Sequence, residues 1–231
     1  MTGFVGVICG LKSEAQAVAS TGEQSKLRIG VSGANASRAE ELAAEFCEVG
    51  ASAILSVGVS GGLDPALKPG DLVIGERVIA DEGSVWTADS YLTGILKEEI
   101  EQSAAKMGAL FGSDQIIDSA QRKAALFQNH NALAVDMESH GAARAAVHMG
   151  VPFLAIRAIA DPAGRALPPA ALGAVAPDGS TRAFKTLGAA LRDPKQFPEL
   201  MKLGADSAAA TKTLRRDLGP IFCRLFLGLD L

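Results

Sequence analysis

Unbroken runs of Val, Ile and Leu alternate along this chain with Ala-rich stretches in which apolar residues recur every three or four positions. The first run, Phe4–Cys9, has no polar position, the pattern of a strand covered on both faces. Further strands are expected over 27–31, 52–59, 71–74, 109–117, 133–135 and 151–159. Ser13-Glu14-Ala15-Gln16 and Ser37-Arg38-Ala39-Glu40 both have the form of a capping box, so helices should begin at Ser13 and Ser37. The second should run to about Val49, where Gly50 can end it. Other helices are expected over 87–107, weakened by Gly94, and over 120–127, 139–148 and 197–218, with another from about 182. A Pro/Gly/Ala-rich loop should span 162–177. Alternation of strand and helix predicts an α/β fold, a three-layer sandwich whose central sheet is mixed but mostly parallel.

Composition narrows the picture. The 231 residues suit one domain, 1–231, with a helical extension from about 182. The chain is 48% hydrophobic but only 5% aromatic, so its core must be built from aliphatic side chains. A net charge of −4 gives no footprint for nucleic acid. Cys9, Cys47 and Cys223 form no CxxC and leave one unpaired, which fits a reducing compartment. No run approaches the roughly 20 apolar residues of a bilayer span. The apolar start has no basic segment before it and meets Glu14 early, so it reads as a buried strand and the expected location is cytoplasmic. His130, His140 and His148 form no HExxH, so no metal is expected. His148 suits a helix C-terminus, and His140, two residues after Glu138, is the histidine worth testing.

In sheets of this kind ligands bind beyond the carboxyl ends of the strands. Glu14 follows the first strand, where it is either a first-turn acid favoured by the helix dipole or a catalytic group. Ser32-Gly33-Ala34-Asn35 follows the second, either a tight turn or a nest of N–H groups for an anion. Gly58 and Ser60-Gly61-Gly62 end the third, as a turn or as room for a ligand against the backbone. Asp136-Met137-Glu138 stands at a strand-to-helix junction, where either acid could be an N-cap. Asp161-Pro162 closes the last strand as a turn or as a catalytic acid. Together these strand ends point to an enzyme.

The segment AVDMESHGAARAAVHMGVPFLAIRAIAD resembles the AVEMEA…VPF…RAISD signature of the nucleoside phosphorylase superfamily, especially its methylthioadenosine/S-adenosylhomocysteine nucleosidases, with the same 23-residue step from Glu138 to Asp161. GVICGLKSEAQAV and SVGVSGGLDPALKPGDLVI resemble that family's earlier motifs, so the likeness runs from residue 4 to about 162. RAIADPAGRALPPAALGAVAPDGSTR is similar to a segment of hopanoid-associated phosphorylases. The resemblance implies a nucleoside phosphorylase-like fold, usually a homodimer or larger, that needs no cofactor. It also implies cleavage of the N-glycosidic bond of an adenine nucleoside, preferably the lipid nucleoside adenosylhopane, with salvage of methylthioadenosine or S-adenosylhomocysteine as the alternative. A non-catalytic nucleoside-binding protein is the rival of another class, but Glu14, Glu138 and Asp161 are all present.

Carried over by motif, Asp161 is implied to protonate N7 of the leaving purine, Glu138 to hold the ribose hydroxyls, Met137 to lie under the ribose, and Glu14 to position the attacking water. Asp136 stands where the family has Glu, and Val59 where a hydroxyl residue is usual, although Ser60 and Gly61 follow. Ile116 stands where a Phe commonly stacks on adenine, so either aliphatic groups or Trp86 or Tyr91 must serve. The subgroup implies phosphorolysis with phosphate as co-substrate, held at Ser32 and Gly33 with Arg38 or Arg77. Glu14 nearby would repel phosphate, and on the residues alone hydrolysis is favoured, but the subgroup resemblance tips the expectation slightly towards phosphorolysis. The apolar 214–227 segment reads as a packed helix or an interface, or alternatively as a peripheral contact with the inner membrane for a lipid substrate.

Overall fold

A computed structural model describes residues 3–21, 24–173, 175–181 and 193–231. In chain order the elements are β1 (Phe4–Cys9), α1 (Lys12–Ala19), β2 (Leu27–Val31), α2 (Ala36–Glu48), β3 (Ala51–Gly62), β4 (Leu72–Ala80) and β5 (Val85–Thr87). They continue with α3 (Ser90–Ile95), α4 (Lys97–Gln102), β6 (Lys106–Gly112), α5 (Ala120–His130), β7 (Ala132–Asp136), α6 (Ser139–His148) and β8 (Phe153–Asp161). The last is α7 (Phe197–Gly228). The expected helix from about 182 falls on 182–192, outside the described residues.

The sheet is mixed, with parallel pairing of β1 to β2, β1 to β3, β3 to β8, β4 to β6 and β6 to β7. It also closes on itself: β8 pairs antiparallel with β4, and β7 antiparallel with the end of β3. The cause is the length of β3, whose first half pairs with β1 as far as Ser56. That leaves one edge of its tail free, and Gly61 and Gly62 take Val135 and Ala134 there. On the other side Gly61 pairs with Asp161. The ends of β7 and β8 therefore converge on one glycine-containing strand tail.

Helices α2 and α6 cover one face, over Ile8, Ile54 and Phe153. Helices α1, α3, α4 and α7 cover the other, over Val7, Leu55 and Ile156. Helix α6 meets α2 so closely that a Cβ on Gly141 would stand 2.1 Å from Ala36 O. The 139–148 helix has the expected bounds, but both capping boxes start earlier than expected. Leu11 is the N-cap of α1, and its N–H donates to Glu14 Oε2 at 2.8 Å, so Glu14 caps from the third position. Asn35 caps α2, its side chain accepting from Arg38 N at 2.8 Å. The expected 87–107 helix is two short ones, because Thr87 is drawn into a hairpin with Arg77 and Asp89 caps a new start at Leu92 N.

Helix α7 runs ten residues past its expected end, through Gly219 and Pro220. Leu218, Ile221, Phe222, Leu225 and Phe226 form one buried stripe along it. Each contributes about 1.5–3 kcal/mol on burial, enough together to outweigh the roughly 3 kcal/mol cost of an interior proline. The same stripe bears out the packed-helix reading of 214–227, since this apolar face is committed to the core. Arg224 and Arg216 are also engaged, with Glu98 and Glu99 and with Asp217. Among the described residues no helix is long and apolar enough to cross a membrane.

Candidate active site

Glycines make room for two facing acids. Glu14, at the start of α1, is buried, with Oε1 accepting from Val59 N and Oε2 from Leu11 N, both at 2.8 Å. A Cβ on Gly58 would come within 2.8 Å of Glu14 Oε1. A Cβ on Gly10 would stand 2.3 Å from Glu138 Oε1 and 3.5 Å from Glu14 Oε2, so the two carboxyl groups meet over the bare Gly10 backbone. Substituting either glycine must move a carboxylate. Gly58→Ala is expected to lower turnover about 10²-fold, as a displacement near 1 Å at a reacting group does, with the circular dichroism spectrum unchanged.

The loop between β7 and α6 carries the second set of acids. Asp136 accepts from Glu138 N at 2.9 Å, Ser139 N at 2.7 Å and Ser139 Oγ at 2.7 Å. Arg157, 1% exposed in the middle of β8, places Nε 3.1 Å from Asp136 Oδ2 and an amino group 3.7 Å from Glu138 Oε2. Its other donors go to Ser56 Oγ at 2.7 Å and Ile156 O at 3.0 Å. Burial would raise the Asp136 carboxyl, but the Arg157 guanidinium and the backbone donors hold it below its ordinary value. Glu138 has weaker support, from Arg157 and the Met137 N–H, and burial, with Asp136 beside it, pushes it up to about 8. Burial also raises Glu14, against the pull of the Val59 and Leu11 N–H groups.

This arrangement has a stability consequence. The folded chain keeps a proton on Glu138 up to about pH 8, whereas the unfolded chain releases it near 4.5. The stability this proton confers is complete below the unfolded value and is lost as pH rises through the folded one. From about pH 5 to pH 9 the native chain should lose on the order of a few kcal/mol, and Glu138→Gln should lose less, in thermal unfolding at the two pH values.

Asp161 ends β8 as the third corner. It is buried, Oδ2 accepts a hydrogen bond from Lys123 Nζ, and Oδ1 is enclosed with no partner among the described residues. Burial pushes this carboxyl up, and the Lys123 ammonium pulls against the rise. Ser60, beside Val59 and Gly61 on β3, also has a buried hydroxyl with no partner among the described residues. A Cβ on Gly61 would lie 3.3 Å from Val135 Cγ1 and 3.8 Å from Asp161 Oδ2, so this glycine sits close between β7 and the acid. One β3 tail thus holds Glu14 at Val59 and Asp161 at Gly61, with free polar atoms at Ser60 and Asp161.

Residues 2–192 match the phosphorylase superfamily. The chain belongs to that superfamily. Within it the chain is 30% identical over 127 residues to the futalosine hydrolase of Streptomyces coelicolor, covering 48% of this chain and 54% of that one. It is 31% identical over 132 residues to the 5′-methylthioadenosine/S-adenosylhomocysteine nucleosidase of Geobacillus kaustophilus, covering 48% and 56%. The chain thus spans about half the length of the curated relatives it matches. Its fold is that of the Helicobacter pylori 5′-methylthioadenosine/S-adenosylhomocysteine nucleosidase, with TM-score 0.69, 16% identity, and 94% and 98% of the two chains covered. The native futalosine hydrolase of the same species gives TM-score 0.68 at 17% identity, covering 94% and 97%.

For this phosphorylase-superfamily chain, the expected anion nest is the main correction. Ser32 N donates to Cys9 O at 2.8 Å and Gly33 N to Gly10 O at 3.1 Å. The Ser32 hydroxyl also donates to Cys9 O, at 3.3 Å. Gly33, at φ +70, lies under the 175–181 turn, where a Cβ would strike Pro177 O at 2.0 Å. A cavity of about 390 Å³ remains between the 32–35 turn, Arg38 and Pro177. Arg38 itself is paired with Glu41 and Glu45, and Arg77 is exposed on β4.

The pocket-wall expectations fare unevenly. Met137 is half-buried between the two acids of its motif. Ile116 is 40% exposed in the loop before α5, and that loop is tied to the segment after Asp161 by Leu167 N donating to Asp118 O at 2.8 Å. Tyr91 is fastened to Gly228 O at the end of α7, and Trp86 lies under Arg144. His140 is buried, with Nε2 3.1 Å from Asp114 Oδ1. Sequence reasoning missed Arg157 and Lys123 as partners of the acids. Arg157 had a signal, as the one basic residue inside an otherwise apolar β8 run. Lys123, next to Arg122 in a polar helix, had none.

Proposed function

We propose that this chain hydrolyses the N-glycosidic bond of an adenine nucleoside. The observation that carries the reading is the buried Asp161 Oδ1, without a partner among the described residues, at the end of β8 where β8 pairs with the β3 tail that anchors Glu14. Adenine leaves poorly as an anion. A carboxyl raised by burial can protonate N7 as the bond breaks, help worth on the order of 10²–10⁴-fold. Glu138 then holds the ribose hydroxyls over Met137, Ser60 and Gly61 line the base, and Ile116 lies over it from the loop before α5. Glu14 receives the proton of the attacking water.

Water is favoured over phosphate on electrostatic grounds. Glu14 stands on the nucleophile's side of the site, and the buried cation nearby, Arg157, is already engaged by the charged Asp136. The nest N–H groups at Ser32 and Gly33 are also occupied. The 5′ group of the substrate is the finer question. Similarity of the 157–182 segment to hopanoid-associated phosphorylases supports adenosylhopane. Exposed Leu172, Phe197 and Met201 suit a large apolar substituent, and Gln196 ties the start of α7 to Ala170 N at 2.9 Å. The curated nucleosidase relatives support 5′-thioadenosines as the second substrate class. Purified protein given adenosylhopane, methylthioadenosine or S-adenosylhomocysteine, with and without phosphate, tests the reading by adenine release and the identity of the sugar product.

A further inference from the structure

Lys123 is fully enclosed in the first turn of α5, the end of a helix at which a cation is disfavoured. Burying an ammonium is costly unless each of its protons is received. Here all three are: by Asp161 Oδ2, by Pro162 O at 3.1 Å and by Arg165 O at 3.0 Å. No donor is left for a substrate, so this lysine acts only through what it holds. What it holds is one oxygen of Asp161, and the other oxygen is left buried and without a partner among the described residues.

We propose that Lys123 is a positioning residue for Asp161. Its ammonium fixes Oδ2, leaves Oδ1 as the end that meets the base, and stabilises the carboxylate that remains once Oδ1 has given up its proton. The inference rests on the reading of Asp161 as the acid of an adenine nucleoside hydrolase. In that step the Oδ1 proton passes to N7 and the C1′–N9 bond breaks with its electron pair going to the base. Water then adds at C1′ and yields a proton to Glu14. Asp161 is left as a carboxylate against an ammonium that keeps its own three protons. The other charges facing the pair are Arg165 and Asp206, which are bound to each other and leave Lys123 as the unbalanced positive charge.

The sign of the effect follows. Removing the ammonium lets burial raise the Asp161 carboxyl further, so it stays protonated to higher pH but parts with its proton less readily. Two variants separate charge from bracing: Lys123→Gln loses the charge and keeps an N–H donor, and Lys123→Arg keeps the charge. In Lys123→Gln the alkaline limb of kcat should move up by about 1–3 pH units, the effect of one opposite charge on a carboxyl. Its plateau should fall about tenfold or more while KM changes less than about threefold, the mark of an interaction made in the transition state. Lys123→Arg should keep the wild-type limb. An unmoved limb in Lys123→Gln, or equal shifts in both variants, would mean that the lysine only braces the 162–165 loop.

Two spectroscopic measurements keep the proposal testable on other grounds. The 13Cγ titration of Asp161 should shift upward in Lys123→Gln whether or not any nucleoside is cleaved. Adenine release failing while that shift occurs therefore sinks the functional reading and leaves the pairing intact. Should Lys123→Gln not fold, the 15Nζ resonance of wild-type Lys123 decides: an ammonium at neutral pH is expected, and a neutral amine overturns the proposal.

Discussion

Asp161→Asn is expected to slow adenine release at least tenfold, and by as much as about 10⁴-fold, the range for loss of a general acid. The amide preserves the shape of the side chain but cannot deliver a carboxyl proton to N7. The fold should survive, because an amide oxygen can still accept from Lys123, and Pro162 O and Arg165 O continue to hold the ammonium. Single-turnover kinetics beside a melting curve separate the two effects. A folded Asp161→Asn protein with the wild-type rate would remove Asp161 as the acid.

The second large effect concerns Arg157. Replacing it with Met removes a cation 3.1 Å from Asp136 and 3.7 Å from Glu138, and leaves Asp136 charged and enclosed. Breaking a buried pair from one side costs about 3–5 kcal/mol, a large part of the 5–15 kcal/mol that holds a domain together. A fall in Tm of roughly 6–20 °C is expected. Asp136→Asn in the same chain should recover part of it, since the orphaned charge is then gone. Asp136 is held below its ordinary 3.8 in the folded chain, so its contribution is present above that value and is lost as pH falls through the folded one. The wild type should therefore lose stability on acidification more steeply than Arg157→Met, and a Tm unchanged by the substitution would contradict the account.

Glu14, Glu138 and Asp161 were legible because each follows a strong apolar run, and sheet-edge chemistry is a local signal. The occupied nest at Ser32 and Gly33 was not legible, since the 175–181 turn that covers it comes from some 140 residues away in the chain. Ring closure was hidden for a related reason: it depends on Gly61 and Gly62 meeting β7 after β1 has ended, a matter of register rather than of composition. Leu218 to Phe226 shows the converse case, where Gly219-Pro220 is a local stop signal that a buried stripe overrides. The scarcity of rings also bears on the proposed function, since Tyr91 is held at Gly228 O and Trp86 lies under Arg144.

The most direct test of the central claim is the product of one turnover in the presence and absence of phosphate. Purified protein should release adenine from an adenine nucleoside at the same rate in both, leaving a free sugar with a hydroxyl at C1′. A phosphate-dependent rate that yields the sugar 1-phosphate would contradict hydrolysis, and no adenine from any of the three nucleosides would contradict the site itself.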